Sequence, residues 1–207
     1  MFVTHRPGRL NRSLRRETGG AALVEFALAL PFLIFSVLLG IEVGYLAIAR
    51  LQVGYLAMTT AENAAQMVQI DDATVAESDI ASAIKGTLAQ GDTIHFGDAG
   101  RGRVILTSLQ VDPATKAQTI GWRRCGGTMN QATAYPSVTA SGLGSGTSKV
   151  TAAEGSAVMF VEVYYLHKGL FGTLFFNNRT LSREAAFIVK DKRNMTAAPT
   201  GTNTTAC

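Results

Sequence analysis

Arg15-Arg16-Glu17-Thr18-Gly19-Gly20, then Ala21-Ala22-Leu23-Val24-Glu25-Phe26, then an almost unbroken apolar run to Ala49, is the stretch from which the rest of this chain is read. Between Leu23 and Ile41 the only polar side chains are Glu25 and Ser36. About 19 residues rising ~1.5 Å each cover roughly 28 Å, close to the hydrocarbon thickness of a bilayer, so the length permits one span. Arg6, Arg9, Arg12, Arg15 and Arg16 precede the run, with a single acid, Glu17, among them. Positive charge flanking a first helix is retained on the inner side, which puts the N-terminus in the cytoplasm and sends the rest across.

Glu25 is the residue in this run that calls for an explanation. A carboxylate at the centre of a membrane helix costs roughly 2.5 to 3.5 kcal/mol on insertion scales, and such groups usually have a partner or a purpose. One turn inside the inner interface it can also snorkel. If the chain were cut after Gly20, the new amine of Ala21 would carry a positive charge at a helix start. Glu25 would lie about one turn along, able to pair with that amine or with the amine of a neighbouring subunit.

Gly20, four residues, then Glu25-Phe26, with a basic leader before and an apolar helix after, resembles a type IV prepilin processing signal. The longer run from Gly19-Gly20 to Leu33, with Pro31-Phe32-Leu33 after the Glu-Phe pair and Gly40-Ile41-Glu42-Val43-Gly44-Tyr45 at the outer end, is similar to the TadE-like pseudopilins of the tight-adherence (Flp-type) pilus system. The resemblance is dense from Gly19 to Ala65 and weak beyond. It implies cleavage by a prepilin peptidase between Gly20 and Ala21, and its motif carries over to Gly20, Ala21, Glu25 and Phe26 only. It further implies sister pilin subunits and inner-membrane assembly proteins as partners. A secretory signal is cut after its apolar core, whereas this site precedes the core. An uncut signal anchor fits the composition equally well.

The net charge of +4 is concentrated in the leader. Residues 1–20 hold five Arg and one Glu, which leaves 14 basic against 14 acidic side chains from Ala21 onward. No basic cluster outside the leader offers a nucleic-acid face. Cys125 and Cys207 are the two cysteines. Outside the cytosol they can oxidise to a disulfide closing a loop of about 80 residues; the alternative is a free Cys207 on a loose polar tail.

Along the chain, the expected divisions are a basic leader (1–20), a transmembrane helix (21–49), an amphipathic extension (50–72), an external α+β head (73–190) and a polar tail (191–207). Pro31 favours a bend, or a local melting site used in packing. Gly40 and Gly44 form a small-xxx-small pair suited to close helix packing, with Glu42 between them expected to be solvated. Leu51, Tyr55, Met58, Glu62, Ala65 and Val68 recur on one side, the side predicted to meet a sheet. The helix is expected to run to Ile70 and stop at Asp71-Asp72. Thr74-Val-Ala-Glu77 reads as a capping box for a helix from Val75 to about Gln90, with Ile80, Ile84 and Leu88 on one stripe and Gly91 at its end. Strands are predicted at Arg103–Val111, Ala117–Arg123, Gly155–Leu166 and Thr180–Lys190, with a turn at Asp112-Pro113-Ala114-Thr115. Gly126–Glu154, low in charge and rich in Gly, Ser and Thr, reads as a long mobile loop. Gly169–Asn178 reads as a turn with exposed aromatics. The fold class is α+β, a long N-terminal helix, a second helix and a small antiparallel sheet.

An enzyme needs groups that converge. His5, His95 and His167 sit in no metal or nucleophile motif, and Asp98, Asp112 and Glu162 are scattered. Glu162 shares a strand face with Val158, Phe160 and Tyr164 and is expected to face solvent near an edge. Gly97-Asp-Ala-Gly-Arg-Gly102 lacks the Lys-Ser/Thr of a phosphate loop, and the triplets at Asn178, Asn194 and Asn203 have little meaning in the bacterial setting that the resemblance implies. No cofactor or metal is expected. The reading is a non-enzymatic minor pilin or pseudopilin of the inner membrane. Its alternative is an uncut single-span protein whose external domain binds a ligand or envelope partner, with an anchored periplasmic enzyme behind both.

Overall fold

Leu and Ala favour helix, and the stretch from Thr18 to Ala65 forms a single 48-residue helix, α1, with Pro31 inside it. The structure is a computed structural model and describes residues 18–67, 74–139, 141–147, 149–189 and 197–207. The leader arginines with His5, Val68, Asp71-Asp72 and the Asn194 triplet lie outside the described residues. The helix begins three residues before the expected Ala21 and ends at Ala65, short of Ile70. It is long and apolar enough to cross a membrane. Two compact units, Met1–Gly44 and Tyr45–Cys207, divide the chain, with the boundary inside α1.

In the second unit α1 packs through one stripe of mostly small residues. Ala49, Val53, Leu56, Ala57, Ala61 and Ala64 are all buried, a stripe that advances by three or four residues. Most of the predicted side faces away from the core: Leu51, Tyr55 and Met58 are 76, 58 and 58% exposed and Glu62 is exposed, while Ala65 is buried as expected. Hydrophobic size misleads here, because a helix laid across a sheet approaches closely where its side chains are short. Glu42, expected to be solvated, is 1% exposed.

α2 spans Glu77–Gln90 and buries Ile80 and Ile84, with Leu88 partly buried beside them. Gly91 follows it as expected, its N–H bonded to Thr87 O. The capping box does not form. Ala76 is the N-cap and has no side-chain cap bond. Glu77 instead accepts a two-pronged ion pair from Arg124, both side chains largely buried, a charge-assisted pairing that outweighs a cap. A short 3₁₀ turn at Asp92–Ile94 leads to the sheet.

Four strands follow: β1 Gly102–Val111, β2 Gln118–Gly126, β3 Ala157–His167 and β4 Arg179–Ile188. Their order is β2-β1-β3-β4, antiparallel throughout. Asp112 Oδ1 accepts the N–H groups of Ala114 and Thr115 at 2.8 and 2.9 Å, which makes the predicted turn between β1 and β2. Ser108 pairs with Trp122 but Leu109 with Ile120, so Gly121 is an extra residue bulging from β2. The Gln110 amide lies 2.2 Å from where a Gly121 Cβ would stand, and a larger residue would displace it.

The period of two gives the sheet two buried faces. Val104, Leu106, Met159, Val161, Val163 and Tyr165 face the side of α1 and α2. The other face is covered by the segment between β2 and β3, expected to be a mobile loop. Leu143, Ala152, Tyr135 and Val150 from that segment pack on Leu109, Val158 and Phe160. The segment has little regular structure, yet it closes a second small core.

Candidate processing and assembly segment

Gly19, Gly20 and Ala21 all lie in the first turn of α1. The first four N–H groups of a helix have no partner within it, and glycine is a weak helix former, so this turn unwinds at the least cost. Ala21 and Glu25 stand four residues apart and share one helix face, one turn of rise between them. Every residue from Ala21 to Val37 is exposed, Glu25 and Phe26 included. Pro31 is carried within the helix, and one turn on Ser36 Oγ donates to Phe32 O at 2.8 Å. At Gly40 and Gly44 nothing lies within 4 Å of where a Cβ would be.

Electrostatics assign Glu25 a definite task if the chain begins at Ala21. A free amine at a helix start adds a full positive charge to an end that already bears about half a charge from the peptide dipoles. One acid a turn along offsets both, and in an apolar medium that attraction is screened little.

The tail is fastened to the head rather than loose. Cys125 in β2 is bonded to Cys207, with Cα atoms 4.9 Å apart. Cys125 N donates to Thr205 O at 2.7 Å, while Thr200 exchanges backbone bonds with Val75 and Glu77 at 2.9 and 2.8 Å. The disulfide, one of two open readings of the sequence, closes 82 residues of separation.

Glu162 is the clearest correction among the acids. It shares the face of Phe160 and Tyr164 as the alternation implies, but it is 1% exposed because the β2–β3 segment covers it. Its carboxylate accepts Thr133 Oγ1 at 2.5 Å, Ala134 N at 2.8 Å and Tyr164 OH at 2.7 Å. Its cross-strand neighbour Glu184 accepts Tyr135 OH at 2.8 Å and Ser145 N at 3.0 Å. Two acids thus hold the covering segment to the sheet. Burial, then Glu184, push the Tyr135 phenol up to about 12; burial and then Glu162 raise that of Tyr164.

His95 and Asp98 are both exposed, 3.7 Å apart, while His167 is buried between Tyr45 and Tyr165. Among the described residues no three of His, Cys, Asp and Glu converge as metal ligands would. A surface cavity of about 590 Å³ beside the β1–β2 turn has Asp112, Lys116 and Glu154 as its charged lining, and the last two pair at 3.2 Å. No family model matches the chain, and no curated protein or solved structure is significantly similar to it.

Proposed function

We propose that this chain is a non-enzymatic pseudopilin of the TadE-like kind, held in the inner membrane by α1, trimmed between Gly20 and Ala21 by a prepilin peptidase, and assembled with sister subunits in a tight-adherence pilus system. The observation that carries this reading is one continuous helix with Gly19-Gly20-Ala21 in its first turn, a lone acid one turn along, and an α+β unit at its far end. A pilin-like plan, a helix whose outer half packs on an antiparallel sheet, accords with it. Gly40 and Gly44, open on α1, suit close approach of a neighbouring helix. The buried acids Glu77 and Glu162 and the half-buried Glu184 are engaged in holding the head together, which favours a contact module over a catalyst.

The competing reading is an uncut single-span protein, and the helical state of Gly20–Ala21 bears on it, since a peptidase works on extended chain. The first-turn position keeps the cost of unwinding low. Expression beside a prepilin peptidase separates the two. Wild type should lose about 2 kDa, and Gly20→Phe should keep its full mass. Equal masses for both proteins would support the signal anchor. Glu25→Ala should insert and be trimmed but fail to support piliation; normal piliation would remove the role given to Glu25.

A further inference from the structure

The turn between β3 and β4 reads Lys168-Gly169-Leu170-Phe171-Gly172-Thr173-Leu174-Phe175-Phe176-Asn177-Asn178, with Arg179 opening β4. Hairpin connections are ordinarily built from Gly, Asn and Asp, whereas this one carries five Leu or Phe. Leu170, Phe171 and Leu174 are 55, 37 and 68% exposed. The tip has a definite form: the Phe171 and Phe175 rings meet edge to face at 6.0 Å, and Gly172, itself at positive φ, donates its N–H to Gly169 O at 3.3 Å. A contiguous apolar tip of this kind marks an interaction site.

Its place and its charges say what it meets. His167, the last residue of β3, packs on the Tyr45 ring with centroids 5.1 Å apart. Arg50 and Val53 line the same cleft as Thr180 to Arg183 of β4. The tip therefore emerges beside the earliest α1 residues of the second unit. Leu23 to Ile41 is already long enough to fill the hydrocarbon core, and Tyr45 comes four residues after it. Tyr45 then falls in the interfacial layer, the level at which ring side chains with one polar end concentrate. Phe171, four residues beyond His167, is within about 13 Å of it along the chain. Lys168 and Arg179 are exposed at the base of the turn, Arg50 and Arg183 are exposed nearby, and no acid occurs between Lys168 and Arg183.

We propose that the β3–β4 tip is a second membrane contact, with Leu170, Phe171 and Leu174 entering the outer-leaflet interface and Lys168 and Arg179 meeting anionic phospholipid headgroups. An apolar tip below a ring of cations is the arrangement that interfacial anchors use. The proposal rests on α1 being a membrane span, so the test probes both. Full-length chain is reconstituted in phosphatidylcholine/phosphatidylglycerol vesicles, with a tryptophan placed by Phe171→Trp or, separately, by Phe35→Trp. Bromine-labelled lipid quenches emission on contact, and wild type, whose single Trp122 is buried, gives the baseline.

Both variants should be quenched about twofold or more beyond wild type. Quenching of Phe35→Trp without Phe171→Trp keeps the span and overturns the tip contact, whether water or a second copy covers it. Quenching of neither overturns the span reading together with the proposal. Quenching of Phe171→Trp alone overturns the span, and with it the proposal of a second contact beside that span. With phosphatidylcholine alone, quenching at Phe171→Trp should fall while that at Phe35→Trp holds; no fall would overturn the headgroup part.

Discussion

Two lengths of the same helix solve different problems. From Ala21 to Val37 α1 is apolar on every side, with Leu23, Leu28 and Phe32 70, 67 and 76% exposed. From Tyr45 to Ala65 its residues are sorted by face: Ala49, Val53, Leu56, Ala57, Ala61 and Ala64 are buried against the core, most of them small, and Leu51, Tyr55 and Met58 stand outside. The first length has no inner face, as suits a segment whose surroundings are lipid. The second has a narrow one set by how near a sheet can come. Hydrophobicity alone describes both lengths and tells them apart in neither.

Substitutions that respect or violate this sorting break the comparison most sharply. Urea unfolding of the full chain in detergent, followed through Trp122, reads the second unit. Leu56→Ala, which empties a fully buried site, should lower its stability by about 3 kcal/mol, while Leu28→Ala in the first length leaves it unchanged. Ala61→Leu adds bulk where a short side chain is needed and should cost about 2 kcal/mol despite being the more apolar choice. A gain in stability from Ala61→Leu would show that size does not set the face.

Alkali sharpens the contrast between the sheet's two covers. Tyr135, in the β2–β3 segment, and Tyr165, on the helix side, are both raised to about 12, in each case chiefly by burial, with Arg101 partly offsetting it for Tyr165. An unfolded tyrosine titrates near 10, so the folded state holds these protons more tightly. Stability is therefore fully present below about pH 10 and declines as pH rises through 12. The urea midpoint should fall across that window, and less steeply in Tyr135→Phe; parallel curves would mean Tyr135 contributes nothing to it. The smallest effect belongs to the outer side of α1, where Leu51→Ala should change stability by no more than about 0.5 kcal/mol.

What the sequence reveals follows the same division. Local rules suffice for the long helix, the Ile80–Ile84 stripe, the Asp112 turn and the four strands, whose limits shift by up to three residues. They fail where a remote residue decides. Thr74 loses its cap because Arg124, 47 residues beyond Glu77, claims that carboxylate. Glu162 looks like a solvated edge acid until Thr133 and Ala134 are folded over it. The β2–β3 segment has loop composition and is a loop; its attachment rests on Tyr135, Leu143 and Val150, too widely spaced to form a period. The Gly20–Glu25 motif is a local pattern, and the cut proposed there is a matter of chemistry rather than of fold.

That chemistry leaves one trace on the protein itself. Edman sequencing of material taken from the inner membrane of cells with a working pilus system should begin Ala-Ala-Leu-Val-Glu. A sequence beginning at Met1 or Phe2, with the arginine-rich leader still attached, would contradict the account at its root.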